Sequence, residues 1–253
     1  IICKVDGQLT ELSSNLNKNC ELQFMDAKSK DGHSVLLHST AHLMAQAVKR
    51  LFPKTKVTIG PFLENRFYYD FDVDSPFTED DLLEIENEMM KISEENLEIS
   101  HQEKSRNEAL AFFEKIDESY KVEIINDLDK DETLKVYSQG EFTDLCRGPH
   151  VHSTGQIKHF KILSSSAAYW RGDEKNQTLQ RVYGTSFQNS KDLKKYLQML
   201  EEQKKRDHRK IGKELDLFFF DDEVGPGLPL WTPSGTVLID ELEALALSLI
   251  HIS

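Results

Sequence analysis

An α+β fold, with a largely antiparallel sheet and helices packed on it, is predicted by three features of the sequence. Helix-periodic and strand-periodic segments alternate irregularly instead of in βαβ units. The strand-like segments are near neighbours in the chain, as hairpins require. Two of them, 167–170 and 178–183, flank a polar turn at 172–176 and read as a hairpin.

Residues 1–30 hold short strand-like runs at 1–5 and 21–25, too little to bury a core alone. Gly32 precedes an apolar run at 35–37, and a helix follows. Its apolar positions Ala41, Met44, Ala45, Val48 and Leu51 recur at helical spacing until Pro53 stops it. Residues 66–72 (RFYYDFD) are aromatic and alternating, hence a strand. Thr78 and Asp81 have capping-box spacing, and Leu82, Ile85, Met89 and Ile92 form one stripe on the helix after them. Nine acids and a single base, Lys91, lie between Glu79 and Glu98, a pattern that reads as a solvated helix face. Ser105 with Glu108 starts another helix, through Ile116. Strands are expected at 122–125, 134–138, 141–145 and 158–163. Ser190 opens a long helix with Leu193, Tyr196, Leu197 and Leu200 aligned; its tail, 204–213, holds six bases and one acid. An apolar run at 215–220 and a glycine- and proline-rich stretch follow, so a second domain is expected from about residue 212.

The chain has 253 residues, room for one large or two ordinary domains. Its 31 basic and 44 acidic side chains give a net charge of −13, so any nucleic-acid contact needs a local basic patch. Three cysteines, Cys3, Cys20 and Cys146, are not a disulfide framework, and a reducing, cytoplasmic setting is expected. No apolar run approaches the roughly 18 residues of a membrane span. Ile1 in place of a start methionine, and a helical pattern still running at Ile252, make both ends read as cut.

Two residue pairs carry the candidate chemistry. His38 and His42, at i and i+4, share a helix face. Cys146 and His150, in DLCRGPH, are again four apart, but Gly148 and Pro149 forbid a regular helix and make a tight loop after a strand. If the loop folds against the helix, three imidazoles and a thiol converge, a donor set that suits zinc. The same groups equally suit holding a water and substrate hydroxyls. Chance pairing of helical histidines and an inert buried cysteine is the plainer alternative.

HSTAHLMAQAV (38–48), GPFLENRFYYDFD (60–72), ESYKVEI (118–124) and FTDLCRGPH (142–150) resemble the editing domain of threonyl-tRNA synthetases. Residues 213–243, beginning KELDLFFF, resemble the opening of the class II catalytic domain. The resemblance covers essentially the whole chain in the family's order. It implies the end of a small ubiquitin-like (TGS) domain at 1–30 and an editing domain at 31–187. A linker helix at 188–211 and the cut start of the catalytic domain at 212–253 follow.

By that resemblance the editing module hydrolyses the ester of Ser-tRNA(Thr), and a full-length parent ligates threonine to tRNA(Thr) with ATP. His38 would contact the terminal ribose hydroxyl, and Lys121 would position and activate the water. Cys146 and His150 would line the pocket and hold a second water. Asp144 would bind the substrate ammonium, Tyr69 would pack near the terminal adenosine, and His42 would complete the cluster. No cofactor is required for editing on this reading. The alternative is zinc held by His38, His42, Cys146 and His150. ATP, Mg and a further zinc belong to the catalytic region beyond this sequence. The partner is tRNA(Thr) mischarged with serine, no membrane is involved, and the parent is a homodimer.

Each role has a plainer reading: an exposed lysine for Lys121, strand packing for Tyr69, a turn cap for Asp144. His101, His152 and His159 read as surface or core histidines, and Trp170 as packing. The basic tail (Lys204, Lys205, Arg206, Arg209, Lys210) fits tRNA phosphates or a solvated helix end. Rival functions are a freestanding trans-editing deacylase, which would stop after the linker helix, and a non-enzymatic tRNA-binding module.

Overall fold

The computed structural model describes residues 1–129 and 132–252. The described chain forms two compact units, the first Ile1–Leu193 and the second from Lys194 onward. Among the described residues every strand pairing is antiparallel, and helices pack on the sheets, so the α+β prediction holds.

The first unit begins with strands β1 (Ile2–Val5), β2 (Gln8–Thr10) and β3 (Leu22–Met25), in the order β2-β1-β3. The β1–β2 turn is Asp6–Gly7, both at positive φ (50° and 83°), as a tight hairpin of primed type requires. Helix α1 (Lys30–Leu51) starts earlier than the apolar periodicity suggested. Ser29 caps it, accepting from Gly32 N at 3.1 Å. Gly32, in its first turn, leaves no room for a side chain, since a Cβ there would lie 2.0 Å from Asp26 O. The middle of α1 is buried on nearly all sides, and the hydroxyls of Ser39 and Thr40 donate to the carbonyls of Val35 and Leu36.

Around α1 lie a four-stranded sheet and helix α2 (Glu79–Glu95), which has the expected Thr78–Asp81 capping box. The sheet is β4 (Lys56–Val57), β5 (Phe67–Asp72), β10 (Thr178–Phe187) and β9 (His159–Tyr169), in that order. Residues 158–163 and 167–170, read as separate strands, are mostly one strand, β9, with Trp170 in the turn after it. Phe67, Tyr69 and Phe71 all point into the main core beside α1, as period-two alternation dictates.

A second sheet, β6-β7-β8, comprises β6 (Ile99–Lys104), β7 (Leu134–Gln139) and β8 (Phe142–Leu145). Helices α3 (Arg106–Lys115) and α4 (Ser119–Asp127) share a smaller core with it, made by Ala109, Phe113, Ile125, Leu134 and Val136. The strand expected at 122–125 is therefore a correction: it lies inside helix α4. Its β-branched residues match strand propensity, but Val122 and Ile125 pack against α3, and tertiary burial overrides a weak local preference.

In the second unit the expected linker helix is broken. Helix α5 (Ser190–Lys205) stops, and Asp207 caps a new helix α6 (His208–Glu214), accepting from Arg209 N at 2.9 Å. A hairpin of β11 (Phe218–Phe220) and β12 (Pro229–Trp231) leads into α7 (Pro233–Ile252). Among the described residues no helix is long and apolar enough to cross a membrane.

Candidate functional site

The two sequence-distant pairs meet. Helix α1 presents His38 and His42, and the loop leaving β8 presents Cys146 and His150 against them. One ligating atom from each of the four lies within 4.8 Å of all the others. Cys146 Sγ is 3.2 Å from His38 Nε2 and 3.3 Å from His150 Nε2. His38 and Cys146 are partly exposed, whereas His42 and His150 are buried, so the cluster has an accessible edge and a closed floor.

The loop takes its shape from glycine and from polar contacts. Gly148 sits at φ +66°, ahead of a cis bond to Pro149, and a Cβ on it would lie 1.9 Å from Tyr137 Oη. Its N–H donates to Cys146 Sγ at 3.2 Å. Ser39 pins the far end of the loop. Its Oγ donates to Val35 O, accepts from Val151 N at 3.0 Å, and lies 3.1 Å from His150 Nδ1. With the hydroxyl proton used on Val35, His150 Nδ1 must be the donor to Ser39. That leaves the Nε2 lone pair facing the cluster.

Behind His42 lies a second, fully buried network. Lys121, on α4, donates to Thr58 O and to Tyr69 Oη, the latter at 3.1 Å, and pairs closely with Asp144. Asp144 also accepts from Tyr69 Oη at 2.6 Å and from Leu145 N at 2.8 Å, and its Oδ2 is 3.7 Å from His42 Nε2. Lys121 is only 2% exposed, Asp144 1% and Tyr69 0%, so none of the three presents a free group to solvent in this conformation. Gly60 lies across the Tyr69 ring, where a Cβ would be 2.3 Å from it. The structure thus gathers all seven predicted residues, but in two layers.

Burial sets the charge state. It pushes His38 down to about 4, against the pull of Asp144. His42 is held well below the usual imidazole range by burial, then by His38 and Lys121; His150 by burial, then by His42, His38 and His101. Burial raises the Cys146 thiol to about 12, although the Gly148 N–H works against it. At neutral pH the cluster is therefore three neutral imidazoles and a thiol. Such a set offers nitrogen lone pairs to a water or a cation. The donors fit zinc in kind. Zn–N near 2.05 Å and Zn–S near 2.3 Å in a tetrahedron imply N···S edges of about 3.5 Å. The Cys146 contacts, at 3.2 and 3.3 Å, lie close to that.

The sequence reading missed Ser39, Glu11 and Tyr137. Ser39 had a signal, standing between the two histidines of HSTAH. Glu11 had none, although its carboxylate reaches His150 N from 139 residues away. His101, read as a surface or core histidine, pairs with Glu11 at 2.8 Å. Trp170 is packing as expected, buried against Tyr120 and donating to Glu123.

Residues 134–183, which run from β7 through the Cys146–His150 loop into β10, match the threonyl and alanyl tRNA synthetase second additional domain. Over nearly its whole length the chain is similar to threonine–tRNA ligases. It is 55% identical over 240 residues, 95% of its length, to the threonine–tRNA ligase of Pelobacter propionicus, and 52% over 240 residues to that of a Geobacter species. The enzyme of Symbiobacterium thermophilum is 52% identical over 243 residues, 96% of the chain. The chain spans about 38% of the length of these relatives.

Proposed function

We propose that this site hydrolyses the ester between serine and the terminal ribose of tRNA(Thr), clearing a mischarged product. The observation that carries the reading is the meeting of the α1 histidines with Cys146 and His150 at one partly exposed edge. Serine lacks one methyl of threonine, and a synthetic pocket gains only about 1–3 kcal/mol from such a group, so a second, hydrolytic sieve is chemically called for. His38, neutral at pH 7, meets the ribose hydroxyl. Cys146 and His150 hold the water beside it. His42, Lys121, Tyr69 and Asp144 form the wall behind. In that wall Lys121 is assigned to the water, Asp144 to the substrate's ammonium and Tyr69 to the terminal adenosine. The same reading makes the longer protein a homodimeric ligase of threonine to tRNA(Thr), using ATP and Mg.

The test is serine release from Ser-tRNA(Thr), with Thr-tRNA(Thr) spared. His38→Ala and Cys146→Ala are expected to slow it about 100-fold or more while the fold persists. Unchanged rates in both variants overturn the assignment.

A second reading, zinc at the same four residues, is favoured by the Ser39–His150 bond, since metal-binding histidines characteristically donate their other nitrogen. Four protein donors would fill a tetrahedral zinc shell, so the ion would tie the loop to α1, and it would acidify a water only if one of the four gave up its place. Metal analysis of the purified chain, with and without Cys146→Ser, separates the two.

A further inference from the structure

Glu11 enters the site from the N-terminal sheet, immediately after β2. It is 9% exposed, and its carboxylate touches three groups around the Cys146–His150 loop. Oε1 accepts from Tyr137 Oη at 2.5 Å and from His150 N at 3.3 Å, and Oε2 is 2.8 Å from His101 Nδ1. His101 and Tyr137 are themselves direct cross-strand partners on β6 and β7. The Tyr137 ring packs edge-on against the His150 ring at 4.6 Å, and its hydroxyl sits where a side chain on Gly148 would have to be.

We propose that Glu11 is a positioning residue for ester hydrolysis: it fixes the loop 146–150, and with it His150 Nε2, against the histidines of α1. The claim rests on the hydrolytic reading above. One carboxylate holds both the backbone of His150 and the aromatic platform under its ring. Losing it leaves a buried N–H and a buried hydroxyl without this acceptor, and the loop then relaxes toward other partners. Through this one carboxylate a residue just after β2 acts on the hydrolytic loop, while the rest of the N-terminal sheet serves as its support.

The test uses the full chain and three variants. Glu11→Ala should lower kcat for Ser-tRNA(Thr) about 10- to 100-fold with KM changed by less than about twofold. Glu11→Gln, whose amide oxygen still accepts from Tyr137 and His150, should restore most of that rate. Ile2→Ala, which empties core volume from the same sheet, should lower stability and leave the kcat of the folded protein unchanged. An equal kcat loss in Ile2→Ala, or none in Glu11→Ala, overturns the proposal. Nitrogen NMR of the His150 ring reads positioning without substrate. A single Nδ1–H tautomer is expected in the unsubstituted and Glu11→Gln chains, and averaging in Glu11→Ala. One sharp tautomer in all three overturns the positioning claim. The expected NMR difference with no hydrolysis by the unsubstituted chain overturns the substrate reading alone.

Discussion

Helix α1 and the loop 146–150 each bring two side chains to the cluster, yet different forces hold them. Fourteen of the 22 residues of α1 are buried, so its histidines ride on an element fixed by apolar packing from several sides. The loop has few apolar residues to bury. It is held by polar partners from elsewhere, Ser39 from α1 and Glu11 from the N-terminal sheet, with the Tyr137 ring of β7 packed against His150 and its hydroxyl donating to Glu11. Packing is additive over many contacts, whereas a polar clamp fails when one partner is lost. Damage to the helix should therefore cost the fold before the chemistry, and damage to the loop the chemistry before the fold.

The largest expected effect tests the helix half. Met44 is fully buried, and it lies two positions past His42, about 200° round the helix. Met44→Ala should destabilise the protein by about 2–5 kcal/mol, read from urea unfolding. Hydrolysis by the folded fraction, measured in the cold, should stay near normal. A rate loss on the scale of His38→Ala would break the division between the halves.

A smaller stability effect with a larger functional one is expected for Gly148→Ala. The substitution needs φ near +66° and puts a methyl 1.9 Å from Tyr137 Oη. The strained backbone and displaced tyrosine should cost about 1–3 kcal/mol. Serine release should fall at least about tenfold, through misplaced His150. A variant with normal kcat but a large unfolding shift would show the loop to be scaffold only.

This division also explains what could be read from the sequence. The His38/His42 pair follows from helical period alone, and Cys146/His150 from residue type plus the turn at Gly148 and Pro149. The two-layer arrangement could not be read. Nothing in SYK distinguishes a lysine sealed against Asp144 from an exposed one, and the strand-like run after it proved to be helix α4. Local propensity speaks only to near neighbours, whereas Lys121 is placed by partners 52 and 63 residues away. The tight turn at Asp6–Gly7 did carry a local signal. Glu11, beyond it, carried none, because a buried carboxylate is defined by its distant donors.

The smallest effect concerns the tie between the halves. Arg50, in the last turn of α1, bonds Glu88, Glu95 and Glu141, and Glu141 leads directly into β8, the strand that feeds the loop. The Arg50 guanidinium holds the Glu141 carboxyl down to about 2, against an opposing burial and with smaller help from Gln46. The Glu141 side chain is 56% exposed, so solvent screens the pair, and Glu141→Gln should cost less than about 1 kcal/mol at pH 7. The sign follows from the lowered folded value. The unfolded chain takes up the proton first, near 4.5, so the contribution is whole above that pH and is lost as pH falls through about 2. Urea midpoints of the two proteins should therefore differ slightly at pH 7, converge by pH 2, and converge at pH 7 in about 1 M salt. A gap that persists at pH 2 would mean that the side chain's stem, not its charge, joins α1 to β8, and that this tie belongs with the packed half of the site.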